Sequence, residues 1–173
     1  MPDENQTEKV HQAVIALCDQ RKYAEAIETA QDLLSSDHSD ADQAEGLAML
    51  GYIASMQKQL SEALSYRAQA TAKNPTNAGI RYSYLGNLIE CGHYAEAIAS
   101  ADREIALDED SEWRSFTDSA RFCKAYALYR LGRLDEATKE FAEVEDGEMW
   151  IDGRLTTKAA VLDEIARAKD RNR

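Results

Sequence analysis

Leu50-Gly51-Tyr52-Ile53-Ala54-Ser55-Met56-Gln57-Lys58-Gln59-Leu60-Ser61-Glu62-Ala63-Leu64 reads as the end of one helix, a short polar turn and the start of another. Its last five residues form a signature that recurs as Tyr23-Ala24-Glu25-Ala26-Ile27, Tyr94-Ala95-Glu96-Ala97-Ile98 and Leu134-Asp135-Glu136-Ala137-Thr138. Successive copies start 37, 34 and 40 residues apart. Periods of this size mark tandem helical units, each too small to bury its own apolar face and therefore stacked on the next. A glycine or alanine at the facing positions lets antiparallel helices approach near the short end of the usual range of about 8–10 Å, while larger neighbours fill the grooves beside the contact.

Counted from Ala63, Gly51 lies twelve residues before, and Ala70 and Pro75 lie seven and twelve after. With these residues in register, 44–77 resembles the tetratricopeptide repeat: a leucine-glycine pair, two close-contact alanines and a terminal proline. The third copy offers Tyr82-Ser83-Tyr84-Leu85-Gly86, but Gly86 precedes Ala97 by eleven residues, so the turn at Cys91-Gly92-His93 is expected to be one residue shorter. The fourth has Ala125 twelve before Ala137, and Phe141 at the aromatic place; the first puts Val14 at the small-residue place and Ala26 at the next. Glu104, Arg121 and Lys124 depart from the pattern.

The fold expected is all-α: a right-handed α-solenoid of four helix-turn-helix repeats, at 7–40, 44–77, 79–111 and 118–147, with a C-terminal capping helix at 157–170 and no β-sheet, in a single domain spanning 1–173. Helices are predicted over 6–19, 22–35, 41–57, 60–73, 78–91, 94–107, 115–131 and 134–145. Asp40 is the expected N-cap of the third, and Gly92 and Gly132 suit left-handed helix ends. Thr157 can cap a last helix that turns Val161, Leu162, Ile165 and Ala166 to one side and covers the end of the stack.

Composition is that of a soluble globular protein and argues against several other classes. The chain has 173 residues, 44% of them apolar, and only two prolines, Pro2 and Pro75. Its formal charge is −12, with net −7 over 1–43 and −5 over 78–117, and such a field repels phosphate backbones, so no nucleic-acid partner is expected. The opening residues lack the positive charge and apolar run of a secretory signal, and no eighteen apolar residues are contiguous; a cytoplasmic protein without membrane contact is expected. Cys18, Cys91 and Cys123 sit in separate apolar helical stretches, as buried reduced thiols do.

No catalytic or ligand-holding pattern emerges. His11, His38 and His93 are scattered, the glycines are isolated, and neither a phosphate-cradling loop nor a nucleophile elbow occurs. No enzyme activity, cofactor or metal is expected. A protein or peptide partner is, with the chain a monomer or homodimer.

The resemblance projects the first helix of each repeat onto a concave groove. It places His11 and Ile15 there with Glu8 and Cys18, then Tyr52 and Met56 with Glu45, Ala48 and Ser55, then Asn87 and Glu90 with Ser83 and Cys91, and finally Phe122, Tyr126, Tyr129 and Arg130. Members that grip a chaperone's C-terminal carboxylate use inward cations and asparagine. Here the matching places hold His11, Ile15, Met49, Ile80 and Tyr84, or, one repeat on, Ala48, Tyr52, Tyr84, Ser119 and Cys123, so no such clamp is expected. Two readings stay open. In the first, an adaptor or chaperone-like module holds a peptide against Tyr52, Met56, Tyr126 and Tyr129, unless Phe122, Tyr126 and Tyr129 are packing, buried against the third repeat or the segment around Met149-Trp150-Ile151. In the second, a structural or assembly subunit fills its groove with its own C-terminal segment and self-associates, or neutralises a basic partner, through its acidic outer face. Trp113, in the acidic stretch 108–116, either touches a partner or plugs the gap between repeats.

Overall fold

Four turns of one construction organise the chain. In each, a left-handed residue follows the first helix of a repeat: Arg21 (φ 59°), Lys58 (φ 63°), Gly92 (φ 75°) and Gly132 (φ 75°). Each donates its N–H three residues back, and the next residue donates five back, as in Lys58 to Ser55 (3.0 Å) and Gln59 to Ala54 (2.9 Å), or Gly92 to Ile89 (3.0 Å) and His93 to Leu88 (2.9 Å). This is the Schellman closure, which satisfies the last carbonyls of a helix. Gly92 and Gly132 occupy it as expected. The third turn has the same geometry as the other three and is not shortened. Leu85, fully buried and twelve residues before Ala97, takes the register place, and a Cβ on Gly86 would meet nothing within 4 Å.

The computed structural model describes residues 4–109, 116–145, 148–151 and 154–171. Helices α1 (Glu4–Asp19), α2 (Tyr23–Gln31, continued by a 3-10 turn Asp32–Leu34), α3 (Asp40–Met56), α4 (Leu60–Lys73), α5 (Ala78–Glu90), α6 (Tyr94–Glu109), α7 (Thr117–Arg130) and α8 (Leu134–Ala142) form the repeats. The strands β1 (Glu148–Ile151) and β2 (Arg154–Thr157) precede α9 (Lys158–Arg171). Trp113 lies outside the described residues. Residues 1–84 and 85–173 form two compact units, each with its own buried residues.

The signature alanines Ala26, Ala63, Ala97 and Ala137 are fully buried, which is the close helix contact that their small size permits. In the N-terminal unit Val14, Cys18, Ala30, Leu33, Leu50 and Ile53 cluster with Ala26. In the C-terminal unit α6, α7 and α8 pack successively. Arg121 and Lys124, off-pattern as apolar positions, form ion pairs there: Arg121 with Glu140 (3.1 Å), and Lys124 with Glu140 (2.8 Å) and Asp102 (2.8 Å). Burial pulls the Lys124 ammonium down, but its hydrogen bonds to Asp102 and Glu140 outweigh that and leave it above the ordinary lysine value.

Two local expectations are corrected. The N-cap of α3 is Ser39, not Asp40: Ser39 Oγ accepts from the Asp42 N–H (3.2 Å) and Asp42 returns a carboxylate to the Ser39 N–H (3.2 Å), a reciprocal capping box. Asp40 instead starts the helix and pairs with Lys73 (2.9 Å). Nor is the chain free of strands, because β1 and β2 form an antiparallel hairpin with Met149 opposite Thr156 and Trp150 opposite Leu155. Short β-prone runs on either side of Asp152-Gly153 carry that signal in the sequence. The hairpin leads directly into α9, where Thr157 Oγ1 accepts from the Ala160 N–H (3.1 Å) as the predicted cap. Val161 and Ile165 are buried, and Lys169 pairs with Asp135 of α8 (2.7 Å).

Candidate functional site

The N-terminal unit holds an open groove of about 480 Å³. Its wall on α1 is built from Thr7, Glu8, His11 and Val14, which share one helix face because they stand three or four residues apart. Glu45, Ala48, Met49 and Tyr52 repeat that spacing on α3. Arg67 comes from α4, and Asn77, Gly79, Ile80 and Ser83 come from the entry and first turns of α5.

Polar bonds fix these walls. Thr7 Oγ1 donates to Asp42 Oδ1 (2.8 Å), tying α1 to the capping box of α3. The hydroxyls of Ser39 and Thr7 hold the Asp42 carboxyl below the usual carboxylate range, Ser39 making the larger contribution. Asn77 Nδ2 donates to Glu45 Oε1 (2.9 Å), and Asn77 Oδ1 accepts from the Ile80 N–H (3.1 Å), so one side chain both caps α5 and joins it to α3. Arg67 Nη1 donates to the Ser83 carbonyl (2.8 Å). Burial raises the Tyr52 phenol above its ordinary value, and the nearby Asp19 carboxylate adds to the shift.

Of the residues projected from sequence, His11 and Tyr52 line this groove, together with Glu8, Glu45, Ala48 and Ser83. Ile15 is half-buried and Met56 is exposed (41%), and neither reaches the lining. In the C-terminal unit the projection fails for three residues: Asn87 (1% exposed), Phe122 (2%) and Tyr126 (1%) are buried and present no docking face. Asn87 Nδ2 donates to Glu90 Oε2 (2.7 Å), which leaves Glu90 exposed but engaged. Phe122 meets Phe141 edge-on with ring centroids 5.3 Å apart. Tyr129 is half-buried and donates to Glu164 of α9 (2.8 Å). Arg130 lies over the Tyr94 ring (4.8 Å) and donates to the Tyr126 hydroxyl (2.8 Å).

Thr7, Val14, Met49, Arg67, Asn77, Gly79 and Ile80 also line the groove and lie outside the projected sets. Arg67 belongs to a second helix, whereas the projection used first helices alone. Asn77 carried a usable signal, because an asparagine just before a helical run is a capping residue.

No family model and no curated protein matches this chain. Several solved structures share its fold. MamA from MSR-1 superposes with a TM-score of 0.57 at 19% identity, covering 81% of this chain and 75% of that one. MamA from AMB-1 gives 0.57 at 17%, covering 81% and 72%. The nearly identical TPR-like repeats of a Podosopora anserina protein assigned to kinesin light chain give 0.65 at 15%, covering 83% and 75%. In fold, this chain is a tetratricopeptide-type helical repeat protein.

Proposed function

We propose that the chain is a non-enzymatic protein-interaction module of adaptor or chaperone-like type, cytoplasmic, whose N-terminal groove receives a peptide or protein segment. The observation that carries this reading is the groove itself: about 480 Å³ of open space with the half-buried Ala48 and Tyr52 among its lining residues and polar bonds holding its walls. An aromatic side chain such as Tyr52 anchors a groove of this kind because it buries large area with few rotatable bonds. No helix among the described residues is long and apolar enough to cross a membrane.

The test is affinity capture from the native host, followed by titration of the captured partner against the wild type and Ala48→Phe. The larger side chain fills the groove from α3. Affinity should fall about tenfold or more while the melting temperature holds. Unchanged affinity would move the binding site elsewhere.

A second reading has its own support. The C-terminal unit covers its aromatics and ties Tyr129 to α9, which suits a structural half that assembles, with another copy or a basic partner, through exposed acidic residues. Light scattering behind size exclusion separates monomer from homodimer, and charge reversal of the outer acidic residues should then abolish association while Ala48→Phe leaves it intact.

A further inference from the structure

We propose that the occupant of the N-terminal groove is a segment bearing a lysine or arginine flanked by aliphatic residues, an inference that rests on the groove being a peptide site. Two carboxylates, Glu8 on α1 and Glu45 on α3, stand in its lining. Glu8 Oε1 accepts an amide proton from Gln12 (2.8 Å) and Glu45 Oε1 accepts one from Asn77 (2.9 Å). Neither carboxylate forms an ion pair among the described residues, in contrast to Glu140, which meets both Arg121 and Lys124.

The guanidinium of the lining, Arg67, is committed in part to the Ser83 carbonyl. An acidic segment entering the groove would bring its charge against two carboxylates. A cationic side chain would supply their counter-charge while its flanking aliphatics lie against the half-buried Ala48 and Tyr52. Charge-assisted hydrogen bonds from an ammonium or guanidinium to a carboxylate are about twice as strong as neutral ones. The net charge of −12 would also speed the encounter with a cationic segment.

The experiment uses the full chain and three fluorescein-labelled dodecapeptide pools with blocked ends. The flanking positions are degenerate over Leu, Ile, Val, Ala and Ser, and the central residue is lysine, norleucine or glutamate. In anisotropy titrations the lysine pool should bind about fivefold or more tighter than the norleucine pool, with the glutamate pool weakest. That preference should shrink as salt rises and should disappear in Glu8→Gln/Glu45→Gln, whose thermal transition is followed alongside; the single Glu8→Gln, at an exposed helix position, should halve it if the double variant does not fold. Equal binding of the lysine and norleucine pools overturns the cationic inference and leaves the groove reading standing, as does a glutamate pool that binds best. A lysine preference that survives in the glutamine variants overturns it too, by placing the cation outside the groove. Failure of every pool to bind overturns both readings.

Discussion

The second and fourth repeats place different residues at the same register positions, and those residues decide between an open groove and a filled core. Counted back from the signature alanine, Ala48, Tyr52 and Met56 of α3 correspond to Phe122, Tyr126 and Arg130 of α7; counted forward, Arg67 of α4 corresponds to Phe141 of α8. Phe122 and Phe141 meet edge-on and are buried, and Tyr126 is buried with them. Where the second repeat has Ala48 and Arg67, the space stays open, Tyr52 lines it, and Met56 reaches solvent. Two aromatics bury several hundred square ångströms and hold their repeat together by packing. The repeat without them packs through its aliphatic core and adds hydrogen bonds to its neighbours, from Thr7 to Asp42, Asn77 to Glu45 and Arg67 to Ser83. At one register place the same repeat architecture thus holds a small alanine beside open space in one copy and a buried aromatic in the other.

The largest effect should come from breaking the filled side. Phe141→Ala removes a fully buried ring and should destabilise the protein by about 3–5 kcal/mol in urea or thermal unfolding. Arg67→Ala, at the matching place of the open repeat, should cost much less, about 1 kcal/mol, from the loss of its hydrogen bond to the Ser83 carbonyl and some stem packing. Equal costs would mean that the groove is as much a core as its counterpart.

Glycine substitutions sharpen the same contrast at smaller scale. A Cβ on Gly46 of α3 would stand 3.0 Å from the Ala30 carbonyl oxygen and 3.0 Å from Leu33 Cβ, atoms that cannot move without shifting a helix. Gly46→Ala should therefore cost about 1–3 kcal/mol by overpacking. Gly86→Ala meets open space inside α5 and should stabilise by up to about 1 kcal/mol through helix propensity. The pair of melting temperatures, one lowered and one raised, tests whether close contact lies at Gly46 and not at Gly86.

The smallest effect concerns the polar straps of the open side. The Asp42 carboxyl has a folded pKa below its unfolded value near 3.9, so its contribution is complete above that value and is lost as pH falls through the lowered one. Asp42→Asn should reduce stability modestly at pH 7, and the gap from wild type should narrow as pH drops below about 4. Denaturation midpoints at both pH values check it; a gap that stays constant would show that the Ser39 and Thr7 hydrogen bonds do not favour the carboxylate.

From the sequence alone, the period of the Ala63 signature, the buried alanines and the positions of Gly92 and Gly132 determined the helices and their order. These are local or periodic properties: a small residue at a fixed interval is required wherever two helices touch, whatever lies further away. Tertiary structure alone decided three other matters. The left-handed conformation falls on Arg21 and Lys58 as well as on glycines, because closing the same turn outweighs their intrinsic reluctance. Leu85 rather than Gly86 takes the contact register, because a turn of fixed hydrogen bonding counts residues from Ala97 and not from a glycine. And Tyr52 lines a groove while Tyr126 is buried, although the sequence places both at one register position, because exposure depends on what packs around a side chain once the helices meet: small Ala48 stands one turn before Tyr52, whereas Phe122, one turn before Tyr126, meets Phe141 of α8 edge-on.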